Sequence, residues 1–329
     1  LGPYKLDTGE QIKGQPVGPS WSQLMSDEIL SYAKKDRRVV AITPAMPVGS
    51  KLTKFQSELP EQFFDVGIAE QHAVTMAAGL AMEGMKPYVA IYSTFLQRAY
   101  DQVLHDVDRQ NLNVIFGIDR SGLVGADGET HQGVFDVGFL TQFPNMTVMM
   151  PKDENEAKDL VYTAMHYEQG PIAIRYPRGN GLGVKINENR SHIPIGSWET
   201  LTEGDDIALI SYGPTVSTLM EVAEELSKLG IKARVINARY IKPMDEATLK
   251  QLGEINMPVL TVEEGMLNGG LGSQIANYFT DHSFANRVKR LGIDNIYIEH
   301  GNVDQILEDL GLTCEPLVHT VQAFLNKDQ

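Results

Sequence analysis

The sequence predicts an α/β protein of two doubly wound domains, each with a mainly parallel sheet. Three observations lead there. From about Trp21 onward, stretches of helical periodicity alternate with short β-rich runs. A polar break at Asn187-Glu188-Asn189-Arg190-Ser191 separates two such series. The 329 residues, 42% of them hydrophobic, suffice for two full cores.

The first series gives a domain over residues 21–189, with strands expected at 39–43, 63–66, 88–92, 114–118, 146–150 and 172–175. Helices should fill about 22–35, 69–83, 95–109 and 154–167, the last opened by Asp153 as its cap. The second series, 190–329, has strands expected at 207–210, 233–236 and 259–262. Its helices fall at 215–229, at 246–252 and after Gly272-Ser273. Residues 1–20, with Gly2, Pro3, Gly9, Gly14, Pro16, Gly18 and Pro19, read as a linker, and without an initiator Met the chain is expected to be the downstream part of something longer.

Charge narrows the functional classes. A formal net charge of -15 repels phosphate backbones and anionic headgroups, so nucleic acid and membrane are not expected partners, and an anionic ligand would need a local Arg cluster. The single cysteine, Cys314, allows no intrachain disulfide. No apolar run approaches the roughly 18 residues that span a bilayer, so a cytoplasmic protein is expected. No repeat or low-complexity tract suggests a solenoid or scaffold.

Open α/β sheets bind ligands at the carboxyl ends of their strands, and four such places carry reactive residues. In Gly67-Ile68-Ala69-Glu70-Gln71-His72, Glu70 opens a helix. Its carboxylate is either a stabiliser of the helix dipole or, partly desolvated beside an alanine-lined surface, a proton donor. Ala69, Ala73, Ala77 and Ala81 make one side of that helix smooth enough for a second helix or a flat ligand. In Tyr92-Ser93-Thr94-Phe95-Leu96-Gln97-Arg98, Thr94 is the expected cap, and Tyr92, Phe95 and Arg98 stand three apart, as core or as site. The run Asp119-Arg120-Ser121-Gly122, continuing into Gly125-Ala126-Asp127-Gly128-Glu129-Thr130-His131-Gln132-Gly133, reads as a loop lying against something. Asp127, Glu129 and His131 have no second His or Cys to complete a metal set, so substrate contact ranks above a metal there. Arg178, in Arg175-Tyr176-Pro177-Arg178-Gly179-Asn180, could join Arg120 in gripping a phosphate. In the second domain, Glu263-Glu264-Gly265 and the turn Asn268-Gly269-Gly270-Leu271-Gly272-Ser273 read as structural.

Taken with Ile42-Thr43-Pro44-Ala45-Met46 and Ala99-Tyr100-Asp101-Gln102, these runs resemble the 1-deoxy-D-xylulose-5-phosphate synthases, which are transketolase-like thiamine diphosphate enzymes. The resemblance covers nearly the whole chain and implies a pyrimidine-binding domain followed by a transketolase C-terminal domain. It implies condensation of pyruvate with D-glyceraldehyde 3-phosphate, releasing carbon dioxide and giving 1-deoxy-D-xylulose 5-phosphate, by a homodimer in which the smooth helix is a candidate interface. Carried over by motif, Glu70 hydrogen-bonds the coenzyme's aminopyrimidine and Phe95 stacks on it. Tyr92, Arg120 and Arg178 contact the acceptor and its phosphate. Arg98, Asp127 and His131 lie close by, the last two as catalytic candidates. The family's Gly-Asp-Gly motif, which with an Asn holds magnesium and the diphosphate, has no match in this chain. A fragment without that domain, inactive alone, is therefore expected. The alternatives are a β subunit of a 2-oxo acid dehydrogenase or of a split transketolase, and a non-catalytic dimerisation module.

Overall fold

The computed structural model describes residues 5–10 and 18–326. Of the glycines and prolines in the expected linker, Gly2, Pro3, Gly14 and Pro16 lie outside that range. A seven-stranded sheet is formed by β1 (Val39–Thr43), β2 (Phe63–Asp65), β3 (Lys86–Tyr92), β4 (Ile115–Asp119), β5 (Thr147–Met149), β6 (Ile172–Arg175) and β10 (Tyr240–Lys242), in the order β10-β5-β6-β4-β3-β1-β2. A five-stranded sheet is formed by β7 (Glu199–Thr202), β8 (Ile207–Ser211), β9 (Ala233–Asn237), β11 (Val259–Met266) and β12 (Val288–Ile293), in the order β12-β11-β8-β9-β7. All pairings are parallel except β10 on β5 and β7 on β9. The central strands β1, β4, β6 and β8 are buried along their whole length, as apolar runs covered by helices on both faces must be. Among the described residues no helix is long and apolar enough to cross a membrane.

Strand β10 comes from beyond residue 190 yet closes the edge of the first sheet, with Tyr240 opposite Met149. A three-residue antiparallel edge strand carries too little periodicity to be read in advance. The strands β7 and β12 were likewise not expected, for they are short or half-polar and sit at sheet edges. The segment 95–109 is not the single helix expected. It is a chain of short turns, α over Ser93–Leu96, 3-10 over Gln97–Ala99, and a π turn over Val103–Asp108. The wide turn carries Asp108 into the interior, where its carboxylate accepts the Asn145 N–H at 3.1 Å. Thr94 does not cap this segment; its hydroxyl donates instead to the Thr130 carbonyl at 2.9 Å. Asp153 does cap its helix, accepting from Glu156 N–H at 2.9 Å.

The alanine-lined side of the helix Glu70–Met82 faces inward. Ala73 and Ala77 are fully buried in the first core while Ala69 and Ala81 are half-buried, so the middle of the stripe lets this helix lie close on its own domain.

The two sheets meet over a buried polar relay. Arg175, at the end of β6 and wholly inaccessible, grips Asp136 with two hydrogen bonds of 2.8 and 2.9 Å, and Asp136 also accepts from the Ser121 hydroxyl at 3.2 Å. Its guanidinium lies 5.2 Å from the ring centre of Tyr212, whose hydroxyl donates to Glu263 at 3.3 Å. Glu263 in turn accepts the N–H groups of Leu271 and Gly272 at 2.9 and 3.0 Å, filling the start of the helix Leu271–Asp281. Burial pushes this carboxyl up to about 7, although those donors and Arg175 pull it down.

Two outcomes follow from the relay. Asp136→Asn leaves a buried guanidinium without its counter-charge, and should lower unfolding stability by about 3–5 kcal/mol in chemical denaturation. Glu263 holds a proton when folded at pH values where the unfolded side chain, with an ordinary value of 4.5, has lost it. Its contribution to stability is therefore complete below 4.5 and disappears as pH rises through about 7. Denaturation midpoints across that window should fall in the wild type and stay flatter in Glu263→Gln; parallel pH profiles would contradict this.

Candidate functional site

Adjacent strands bring the reactive residues together. In the ladder Tyr92 of β3 sits opposite Asp119 of β4, and Ile118 of β4 opposite Arg175 of β6, so the carboxyl ends of three neighbouring strands open at one level. The turn after β4 begins with Arg120 in a left-handed conformation, φ 59°, which swings its side chain back over the strand ends. Asp119 fixes that turn. Its carboxylate, fully buried, accepts the Arg120 backbone N–H at 2.8 Å and the Ser22 hydroxyl at 2.8 Å, and lies 2.9 Å from the Arg120 guanidinium. Burial raises the Asp119 carboxyl above its ordinary value, and Arg120 opposes that rise. Arg120 also donates to Ser22 and to the Gly49 carbonyl, and its guanidinium rests 4.1 Å from the Tyr92 ring centre.

Tyr92 and Phe95 stack nearly parallel, 8° apart with centres at 5.4 Å, and Phe95 meets the edge of His131 at 5.4 Å. Phe95 remains partly exposed, leaving ring surface open to a flat ligand. Burial pushes the Tyr92 hydroxyl up to about 12, with Arg120 acting against it, so Tyr92 serves as a neutral hydrogen-bonding group.

Asp127 lies between the two arginines taken as phosphate contacts. Its carboxylate is 2.9 Å from Arg178 Nε and 3.7 Å from Arg120 Nε, and that Arg120 nitrogen has no hydrogen-bond partner. One carboxylate thus stands against two guanidinium groups. Among the described residues no group of three or more His, Cys, Asp or Glu side chains is placed to hold a metal ion.

Glu70 opens the helix Glu70–Met82 and is 3% exposed. Arg98 Nη1 donates to its Oε1 at 3.2 Å from a side chain that is itself half exposed. Oε2 is ion-paired with the same nitrogen at 3.1 Å but receives no hydrogen bond. A buried carboxylate oxygen that receives no hydrogen bond is costly, and here the nearby Arg98 guanidinium offsets part of that cost. Nearby, Ala45, Pro47, Gly49, Asp65 and Gly67 line an open cavity of about 630 Å³, whose two loops are tied by Asp65 accepting from the Ala45 and Gly67 N–H groups at 2.9 and 3.0 Å.

All eight residues singled out in the sequence thus fall at one end of the first sheet, Glu70 with Arg98 on one side and Tyr92, Phe95, Arg120, Asp127, His131 and Arg178 on the other. Sequence reasoning did not pick out Ser22 or Asp119, which hold Arg120. Asp119 stood beside it as an acidic residue ending an apolar strand, a placement that usually signals a buried partner.

Comparison with known proteins places these features. Residues 17–182 match the transketolase pyrimidine-binding domain and residues 196–317 the transketolase C-terminal domain. The chain is 64% identical over 322 residues to 1-deoxy-D-xylulose-5-phosphate synthase of Macrococcus caseolyticus, covering 98% of itself and 51% of that protein. It is 57% identical over 329 residues to the synthase of a Geobacillus species, of which it covers 52%. The chain therefore spans about half the length of these curated relatives. Among solved structures, a split-gene transketolase described as an inactive β4 tetramer aligns with a TM-score of 0.82 at 27% identity, over 94% of this chain and 99% of that one. A transketolase from Pichia stipitis shares the fold, with a TM-score of 0.75 at 19% identity over 47% of its length. By its two matched domains, this chain belongs to the transketolase family.

Proposed function

We propose that this chain forms the pyrimidine-side half of a 1-deoxy-D-xylulose-5-phosphate synthase, a cytoplasmic homodimer that condenses pyruvate with D-glyceraldehyde 3-phosphate. The observation that carries the reading is the buried Oε2 of Glu70, which receives no hydrogen bond although it lies beside Arg98. An acceptor or donor on a heterocycle would satisfy it, and the aminopyrimidine of thiamine diphosphate offers both beside its ring. Phe95, half open and backed by Tyr92, gives a flat ring something to lie against. Bound there, the coenzyme would supply the electron sink that decarboxylation of a 2-oxo acid requires.

The chain's own residues do the rest. Glu70 holds or releases a proton at Oε2 while Arg98 keeps Oε1 fixed, so the carboxyl cannot rotate away. Arg120 and Arg178 take the acceptor's phosphate in the seat that Asp127 fills, and the displaced Asp127 is then free, beside His131, to meet the acceptor's polar groups. Tyr92 supplies a neutral hydroxyl under Arg120. Magnesium does not fit this half: no acidic cluster is set for it among the described residues, and Asp127 is paired with arginines. The diphosphate and its metal would be held by a separate domain, and the chain alone should be inactive.

A second reading, one chain of a split transketolase, draws on the split-gene structure whose whole length matches this two-domain chain. Identity of 57–64% with the synthases favours the first.

The test is turnover of pyruvate and D-glyceraldehyde 3-phosphate by the chain joined to a diphosphate-binding domain, with Glu70→Ala beside the wild type. We expect product from the wild type and a loss in kcat of roughly 10²–10⁴-fold in the variant. Wild-type turnover retained in Glu70→Ala would reject the role of Glu70, and no product from the joined wild type would reject the reaction.

A further inference from the structure

The substrate loop, residues 122–133, is attached to the second domain as firmly as to its own. Its two ends pair with each other, Gly122 and Gly133 exchanging N–H to carbonyl bonds of 2.7 and 2.8 Å, and the pair stands on β11. From β11, Glu264 Oε2 accepts the Leu123 N–H at 3.3 Å while its Oε1 accepts the Thr215 hydroxyl at 3.2 Å. One residue later in the loop, Val124 N–H donates to Gln132 Oε1 at 2.9 Å, and the Gln132 amide donates to the Glu299 carbonyl of the second domain at 3.3 Å. Met266 N–H donates to the Val134 carbonyl at 3.0 Å, just past the loop.

The close approach is built into the backbone. Gly122 has φ +84°, and a Cβ there would stand 3.0 Å from Glu264 Oε2; at Gly125, φ +55°, a Cβ would stand 2.7 Å from the Gly301 carbonyl. Only glycine tolerates both the left-handed turn and that contact. Apolar packing seals the joint, with Leu123 of the loop and Val134 just beyond it against Ile293 and Ile298 of the second domain. By contrast the part of the loop that carries Asp127 and His131 touches the first domain, through Thr94 to Thr130 and through Phe95 to His131.

We infer that Glu264 is a positioning residue for the first domain's site, a carboxylate of the second domain that fixes the base of the loop and so places Asp127 and His131 against Arg178 and Phe95. The inference deepens the proposed function, since it takes the loop as the substrate-contacting element. Glu264 touches none of the reacting groups, and acts only through Leu123 and the Gly122–Gly133 pair. The second domain thereby does more than add bulk: the site's loop keeps its shape only while β11 stays docked.

Hydrogen exchange of the chain itself tests the inference without any turnover. The amides to follow are Gly122, Gly128, His131 and Gly133, which bond within the loop and not to Glu264. In Glu264→Ala they should exchange roughly tenfold faster while β1 and β8 amides keep their protection; in Glu264→Gln, which retains an acceptor oxygen and a donor for Thr215, they should stay near wild type. Loop exchange unchanged in the Ala variant, or equally fast in the Gln variant, overturns the inference. Should Glu264→Ala fail to fold, Gln132→Ala removes the neighbouring tie alone and must loosen the Gly128 and His131 amides in the same way. In the joined protein, Glu264→Ala should raise KM for the phosphorylated acceptor roughly tenfold and leave kcat within about twofold. An unchanged KM would overturn the link to substrate. If the joined wild type makes no product, the functional reading fails and the exchange result still decides the role of Glu264.

Discussion

A carboxylate taken out of water must be given donors or a counter-charge, and this constraint organises both the junction and the cleft. Asp136 receives a two-pronged guanidinium, Asp119 receives a hydroxyl, an amide and an arginine, and Glu263 receives the start of a helix. Asp136 with Arg175 and Asp119 with Ser22 join segments distant in sequence, so satisfying those charges also fixes the strand ends relative to one another. Glu70 is treated differently. Both of its oxygens lie against Arg98, but only Oε1 receives an aligned hydrogen bond, so Oε2 keeps an unused acceptor position in the protein interior.

The same logic explains how an acidic protein can gather positive charge in one place. The overall field is repulsive at a net charge of -15, yet Arg120 and Arg178 are concentrated at adjacent strand ends, one pinned from beneath by Asp119 and both facing Asp127. Asp127 keeps the two guanidinium groups from repelling each other when no ligand is present. The second domain supports this arrangement from below through β11, whose mainly apolar opening, Val259 to Val262, is followed by the two glutamates that make these bonds.

The α/β alternation and the buried strands were legible because parallel sheets demand continuous apolar runs, and β1 and β6 begin and end where those runs do. The candidate site residues drew notice for a related reason: a Glu or an Arg just past the end of such a run interrupts its apolar pattern. What escaped was whatever depends on tertiary partners. The glutamates 263 and 264 read as structural, and one does cap a helix; that the other reaches across to Leu123 depends on how the sheets dock, which no local pattern encodes. The alanine repeat gave the small-residue face but not its direction, and it packs inward. The turns replacing one helix at residues 93–108 follow from the needs of Asp108 and Thr94 elsewhere, and their local sequence reads as an ordinary helix.

The most direct measurement is an electron-density map of the assembled enzyme with thiamine diphosphate bound. The account predicts the Oε2 atom of Glu70 within hydrogen-bond distance of the aminopyrimidine, with Phe95 against the ring's face and Arg98 still on Oε1. A coenzyme ring seated elsewhere, with Glu70 engaged by Arg98 alone, would contradict it.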